Sequence, residues 1–90
     1  MEIEFDPAKS AENERRRGLP FDLADSLEWD KALIRPDQRI DYGEDRLIAI
    51  GPIGGRLYVV CFVYRDGKRR IISFRKANRR EQRAYGKGQR

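Results

Sequence analysis

With 90 residues, 39% of them hydrophobic and 39% charged, and a formal net charge of +5, the chain is read as one domain, residues 1–90, with a small core and a heavily charged surface. One cysteine and no histidine exclude a disulfide scaffold, a cysteine metal cluster, zinc enzymes, Ser-His-Asp hydrolases and Cys-His proteases. No apolar run approaches the roughly 20 residues that span a bilayer, and Met1-Glu2-Ile3-Glu4 lacks a signal-peptide apolar region, so a soluble cytoplasmic protein without a membrane partner is expected.

In chain order, residues 2–5 alternate polar and apolar and predict a short strand. Asp6-Pro7 predicts an N-cap followed by proline at the first helical position, with a helix to about Arg17 and a stop at Gly18. A second helix is predicted from Pro20 to about Trp29, with Phe21, Ala24 and Leu27 on one face. Residues 32–35 read as a short strand ending at Pro36, followed by a polar loop. Leu47–Ile53, Arg56–Tyr64 and Arg69–Phe74 are rich in β-branched and aromatic residues and are separated by Gly54-Gly55 and Asp66-Gly67. They predict a three-stranded antiparallel meander, its middle strand central. Cys61, inside that strand, reads as a small core residue rather than a reactive thiol. Asn78-Arg79-Arg80-Glu81 has capping-box form and predicts a short helix to Tyr85, ending at Gly86.

The charge is distributed unevenly. Residues 1–45 hold 7 Lys/Arg and 13 Asp/Glu, a net of −6, whereas residues 46–90 hold 13 and 2, a net of +11. So positive a half points to a polyanion, either a phosphate backbone or an acidic protein. Arg75, Lys76, Arg79 and Arg80 surround the predicted N-terminus of the last helix, where free N–H groups and guanidinium groups could converge on an anion. The acidic loop residues Asp37, Asp41, Glu44 and Asp45 fit no metal-loop spacing, and no metal or cofactor is expected. Trp29 and Tyr42 could stack on bases, although Trp29 reads more readily as core.

Three stretches resemble the BrnT family of toxins from bacterial type II toxin–antitoxin pairs. They are Phe5-Asp6-Pro7-Ala8-Lys9 with Asn13, Arg16-Arg17-Gly18 and Phe21-Asp22-Leu23-Ala24; then Asp41 to Arg46 with Ile48 to Gly51; then Arg70 to Ala77 with Arg79-Arg80-Glu81 and Tyr85. The chain departs from the family pattern at Phe5, where the family has tryptophan, and at Arg17, where it has histidine. The resemblance implies a small α+β, RelE-like fold: an antiparallel sheet packed by two N-terminal helices, with a short C-terminal helix. It also implies a ribonuclease that inhibits translation and is neutralised by a BrnA-like ribbon-helix-helix antitoxin, as a 2:2 heterotetramer that binds operator DNA through the antitoxin.

Metal-independent RNA cleavage uses the 2′-OH as nucleophile and needs a base, an acid and cations for the phosphorane. Without histidine, the residues expected to carry it are Lys9, Glu44, Arg75, Lys76, Arg79, Arg80 and Tyr85, with Asn13, Arg17, Arg69, Arg70 and Arg83 expected to hold RNA. Two other readings stay open: a basic nucleic-acid-binding module without catalysis, and a module that mainly docks an antitoxin.

Overall fold

Asp6 and Pro7 start a helix, as the sequence predicts. In the computed structural model, which describes residues 1–39 and 43–88, α1 runs Pro7–Arg17. The Asp6 carboxylate accepts the Ala8 N–H at 2.9 Å, and Gly18 closes the helix in the left-handed conformation. Arg15, Arg16 and Arg17 occupy its last turn, at the negative end of the dipole. Ahead of it β1 is only Ile3–Glu4. Asp41 and Tyr42 lie outside the described residues.

The predicted second helix does not form as an α-helix. It is replaced by two 3-10 segments, Phe21–Ser26 and Trp29–Lys31. Phe21, Ala24 and Leu27 recur every third residue, a spacing that a three-residue turn aligns on one side better than a 3.6-residue turn does. All three are buried, and Pro20 offers no side-chain cap that would nucleate an α-helix there.

The remaining strands are β2 (Leu33–Pro36), β3 (Leu47–Ile53), β4 (Arg56–Arg65) and β5 (Lys68–Lys76). The predicted meander is present, with β4 at its centre, inside a five-stranded sheet of order β1-β5-β4-β3-β2. Asp66 and Gly67, at φ 52° and 75°, make the tight turn that joins β4 to β5. The sheet is not antiparallel throughout, in contrast to the expectation. β1 runs parallel to β5, with Ile3 opposite Arg69 and Glu4 opposite Arg70. A parallel pair needs a long connection between its strands, and here the rest of the sheet is that connection.

One face of the sheet carries the main core. Ala49, Val60, Phe62, Ile71 and Phe74 pack there under Leu19, Phe21, Ala24 and Leu27. Phe62 meets Trp29 edge-on at 5.2 Å between ring centroids, and the Trp29 indole N–H donates to the Ala24 carbonyl. Trp29 is therefore half-buried against the core. The opposite face is also apolar at its centre, where Ile50, Val59, Cys61 and Val63 are buried.

The last helix, α2, runs Arg79–Gly88, two residues beyond the predicted stop at Gly86. Its end is held against the β2 side of the molecule. The Tyr85 hydroxyl donates to the Lys31 carbonyl at 3.0 Å. A Cβ at position 88 would come within 3.1 Å of a Leu33 methyl, so glycine there permits the close approach. Among the described residues, no helix is long and apolar enough to cross a membrane.

Candidate active site

The strand register brings the chemistry to the C-terminal half of β5. Cys61 lies opposite Ser73 and Val59 opposite Arg75. Because side chains two apart share a face, Arg75 stands on the sheet face opposite the main core. The chain then turns through Ala77, whose N–H donates to the Leu57 carbonyl, and enters α2.

The predicted capping box is present: the Asn78 side chain accepts the Glu81 N–H at 2.8 Å and Glu81 accepts the Asn78 N–H at 2.9 Å. Glu81 has a second task. Its two carboxylate oxygens each accept a hydrogen bond from the Arg75 guanidinium, both at 2.7 Å. The four cations foreseen around this helix N-terminus are therefore not equivalent. Arg75 is fixed by an internal carboxylate, whereas Lys76, Arg79 and Arg80 are exposed and, among the described residues, form no ion pair. The sequence pattern identified Glu81 as a cap but not as the anchor of Arg75.

The Arg75 guanidinium, bonded to Glu81, holds the Glu81 carboxyl below the usual carboxylate range. A carboxyl depressed on folding contributes stability that is present above its unfolded value of 4.5 and is lost as pH falls through the lower folded value. Glu81→Gln should therefore cost about 1–2 kcal/mol at neutral pH. That difference should shrink at an acid pH below the depressed folded value, where the wild-type carboxyl is also neutral. Urea unfolding at both pH values checks this, and an equal gap at both would refute the anchoring role.

A second group of cations lies on α1. Lys9, Asn13, Arg16 and Arg17 line a groove of about 400 Å³ together with Ile72 and Ser73 of β5. Asn13 is engaged structurally: its amide donates to the carbonyls of Leu19 at 2.7 Å and Phe74 at 2.9 Å. It thus ties α1 to the edge of β5. Lys9 and Arg17 are exposed and form no ion pair among the described residues. Ser73 lines this groove and lies two residues from Arg75, so β5 joins the α1 cations to those of α2.

The other expected site residues lie elsewhere or are engaged. Glu44 pairs with Arg46 at 3.1 Å and Arg65 at 3.7 Å. Arg70 pairs with Glu4 at 3.8 Å. The Arg69 guanidinium lies 4.0 Å over the Trp29 ring, on the core face. Arg83 is exposed on α2, and Tyr85 is bonded to Lys31 as described.

Sequence reasoning missed a charged pair on the Arg75 face. The Asp37 side chain is fully covered, yet it binds the half-exposed Arg39 side-on, through Nε and Nη2, both at 2.8 Å. The Cys61 thiol faces the same carboxylate at 3.8 Å. The bond to Arg39 holds the Asp37 carboxyl below its ordinary value, and burial pushes the Cys61 thiol up, away from the range of a reactive thiolate.

A family model described as ribonuclease toxin, BrnT, of type II toxin–antitoxin system matches residues 5–81. The chain belongs to the BrnT family. Most of the groups just described, from Lys9 to Glu81, fall inside the BrnT match, while Arg83 and Tyr85 lie beyond it. Membership makes this a toxin family whose activity is ribonucleolytic and whose type II system supplies a protein antitoxin as partner. Among curated proteins, none matches the chain.

Proposed function

We propose that this BrnT chain is a metal-independent endoribonuclease that inhibits translation by cutting RNA along the β5 segment between α1 and α2. The observation that carries this reading is Arg75, fixed on the sheet face by Glu81 next to the exposed cations Lys76, Arg79 and Arg80. Cations held in advance where charge develops on the phosphorane supply the largest share of such catalysis. Arg75, Arg79 and Arg80 would hold the scissile and flanking phosphates, with arginine suited to bidentate contact. Lys9 and Arg17 in the α1 groove would hold the adjoining strand. Lys9 and Lys76 are the exposed groups able to carry a proton in place of histidine, whereas Glu44 and Tyr85 are engaged in the bonds given above.

On this proposal fixed cations, rather than a metal ion, meet the charge that develops on the phosphorane. In this reading the antitoxin is a BrnA-like ribbon-helix-helix protein that forms a 2:2 complex and carries the toxin to operator DNA. A non-catalytic reading draws on Arg17, which stands where the family has histidine and keeps positive charge without an accessible proton transfer.

Purified protein incubated with labelled RNA in EDTA decides between the two, with product ends read by mass. Cleavage leaving 2′,3′-cyclic phosphates, abolished by Arg79→Ala with Arg80→Ala in a folded protein, is the expected result. Intact RNA, with and without ribosomes, would leave only binding.

A further inference from the structure

The Asp37 carboxylate is covered on the sheet face that carries Arg75, over a strand whose side chains there are otherwise apolar: Val59, Cys61 and Val63. Its backbone N–H donates to the Arg46 carbonyl at 2.8 Å, so the loop is already closed without the side chain. The hydrogen bonds from Arg39 outweigh the cost of covering this carboxylate. Its distinctive effect is on direction. Both Asp37 oxygens grip one edge of the Arg39 guanidinium, and the Arg39 N–H donates to the same carboxylate at 3.3 Å. A long side chain that is 64% exposed is thereby held in one orientation.

The pair lies beside the proposed site. Asp37 touches Cys61, and Cys61 is one pleat repeat along β4 from Val59, the residue opposite Arg75. Two residues along a strand span about 7 Å. The positive charge of Arg39 acts on both Arg75 and Glu81. Two guanidinium groups on one face, each fixed by its own carboxylate, are thereby close enough to feel each other's charge, and a phosphodiester would draw on both.

We infer that Asp37 is a positioning residue that holds Arg39 as a second phosphate-binding arginine beside Arg75. This rests on the reading of that face as the RNA site. Binding of a fluorescent 2′-O-methyl RNA strand, which lacks the attacking hydroxyl, tests it across a range of salt concentrations. Arg39→Ala should weaken binding and reduce the slope of log K against log salt by about 0.7, the value for one lost phosphate contact on a single strand. Asp37→Asn raises the net charge by one, which by charge alone would tighten binding to a polyanion. Positioning predicts the opposite, a weakening, and predicts that the double variant binds no worse than Arg39→Ala.

An unchanged slope in Arg39→Ala, or binding by Asp37→Asn as tight as wild type, overturns the assignment. Arg39→Ala strips a covered carboxylate of its partner, so the double variant, which removes both charges, reports the salt slope where either single variant fails to fold. Cleavage of unmodified RNA by the wild type is measured alongside. Cleavage with identical salt slopes in wild type and Arg39→Ala removes Arg39 and spares the ribonuclease, whereas an Arg39-dependent slope without cleavage removes the ribonuclease and spares the phosphate clamp. A wild type that neither binds the strand nor cuts unmodified RNA, with or without ribosomes, refutes both.

Discussion

Replacing Arg75 by alanine is expected to lower RNA cleavage by about 100- to 1,000-fold, the usual cost of losing one fixed donor to a developing oxyanion, while the protein remains folded. The geometry explains why one arginine among so many should matter. A guanidinium has five N–H groups. In Arg75, one from each terminal nitrogen goes to Glu81, and a further Nη1 contact reaches the Lys76 carbonyl at 3.3 Å. The Nε–H and the second Nη2–H remain side by side, which is the edge that grips two phosphate oxygens. Glu81 thus occupies the end of the fork and leaves its side for substrate.

The fold should survive because Arg75 is about a third exposed, at 31% of its side chain, and Glu81 keeps its bond from the Asn78 N–H. Arg75→Lys should fall between wild type and alanine, since it keeps the charge and loses the fork. Single-turnover cleavage by variants of confirmed secondary structure checks the ranking. An Arg75→Ala enzyme within about threefold of wild type, far short of an oxyanion donor's effect, would remove Arg75 from the site.

What the sequence made legible here was local. Asp6-Pro7, Gly18, Asp66-Gly67 and the Asn78–Glu81 box each act within a few residues, and each is found where expected. The meander was legible because its strands are adjacent in sequence and joined by turn dipeptides. The parallel pairing of β1 was not, since two residues near the N-terminus meet Arg69 and Arg70 with no periodic signal linking them. Asn13 shows the same limit at the site: the family pattern marks it, but its bond to Phe74 spans 61 positions. Glu81 was half legible. Its spacing from Asn78 declares a cap, but its grip on Arg75 depends on how the chain turns from β5 into α2. Asp37 offered no sign of burial, because it follows a proline in a charged loop and is covered only where it meets Arg39 and the distant Cys61.

Phe62→Ala is expected to cost about 3–5 kcal/mol, as full truncation of a buried aromatic does, which places it among the largest stability effects of a single substitution in this chain. Phe62 is fully buried on the central strand, with Trp29 edge-on at 5.2 Å and Tyr64 at 5.3 Å. Trp29 in turn lies under the Arg69 guanidinium, so the cavity would be lined by rings whose partners hold them in place and cannot collapse freely. For a domain at the low end of the usual range of about 5–15 kcal/mol, a loss of that size leaves a substantial unfolded fraction at ordinary temperature. The site would fail with it, for a specific reason. The β4–β5 register shifts between Cys61 and Phe62, and that register sets Cys61 under Asp37 and Val59 opposite Arg75. Urea unfolding separates the two kinds of loss. Arg75→Ala should lower the midpoint only by the equivalent of the Glu81 pair, about 1–2 kcal/mol, and lose cleavage far beyond its unfolded fraction, whereas Phe62→Ala should lose cleavage in proportion to the folded fraction. A Phe62→Ala protein with a near-normal midpoint would show that the other aromatic contacts of this face hold the sheet without it.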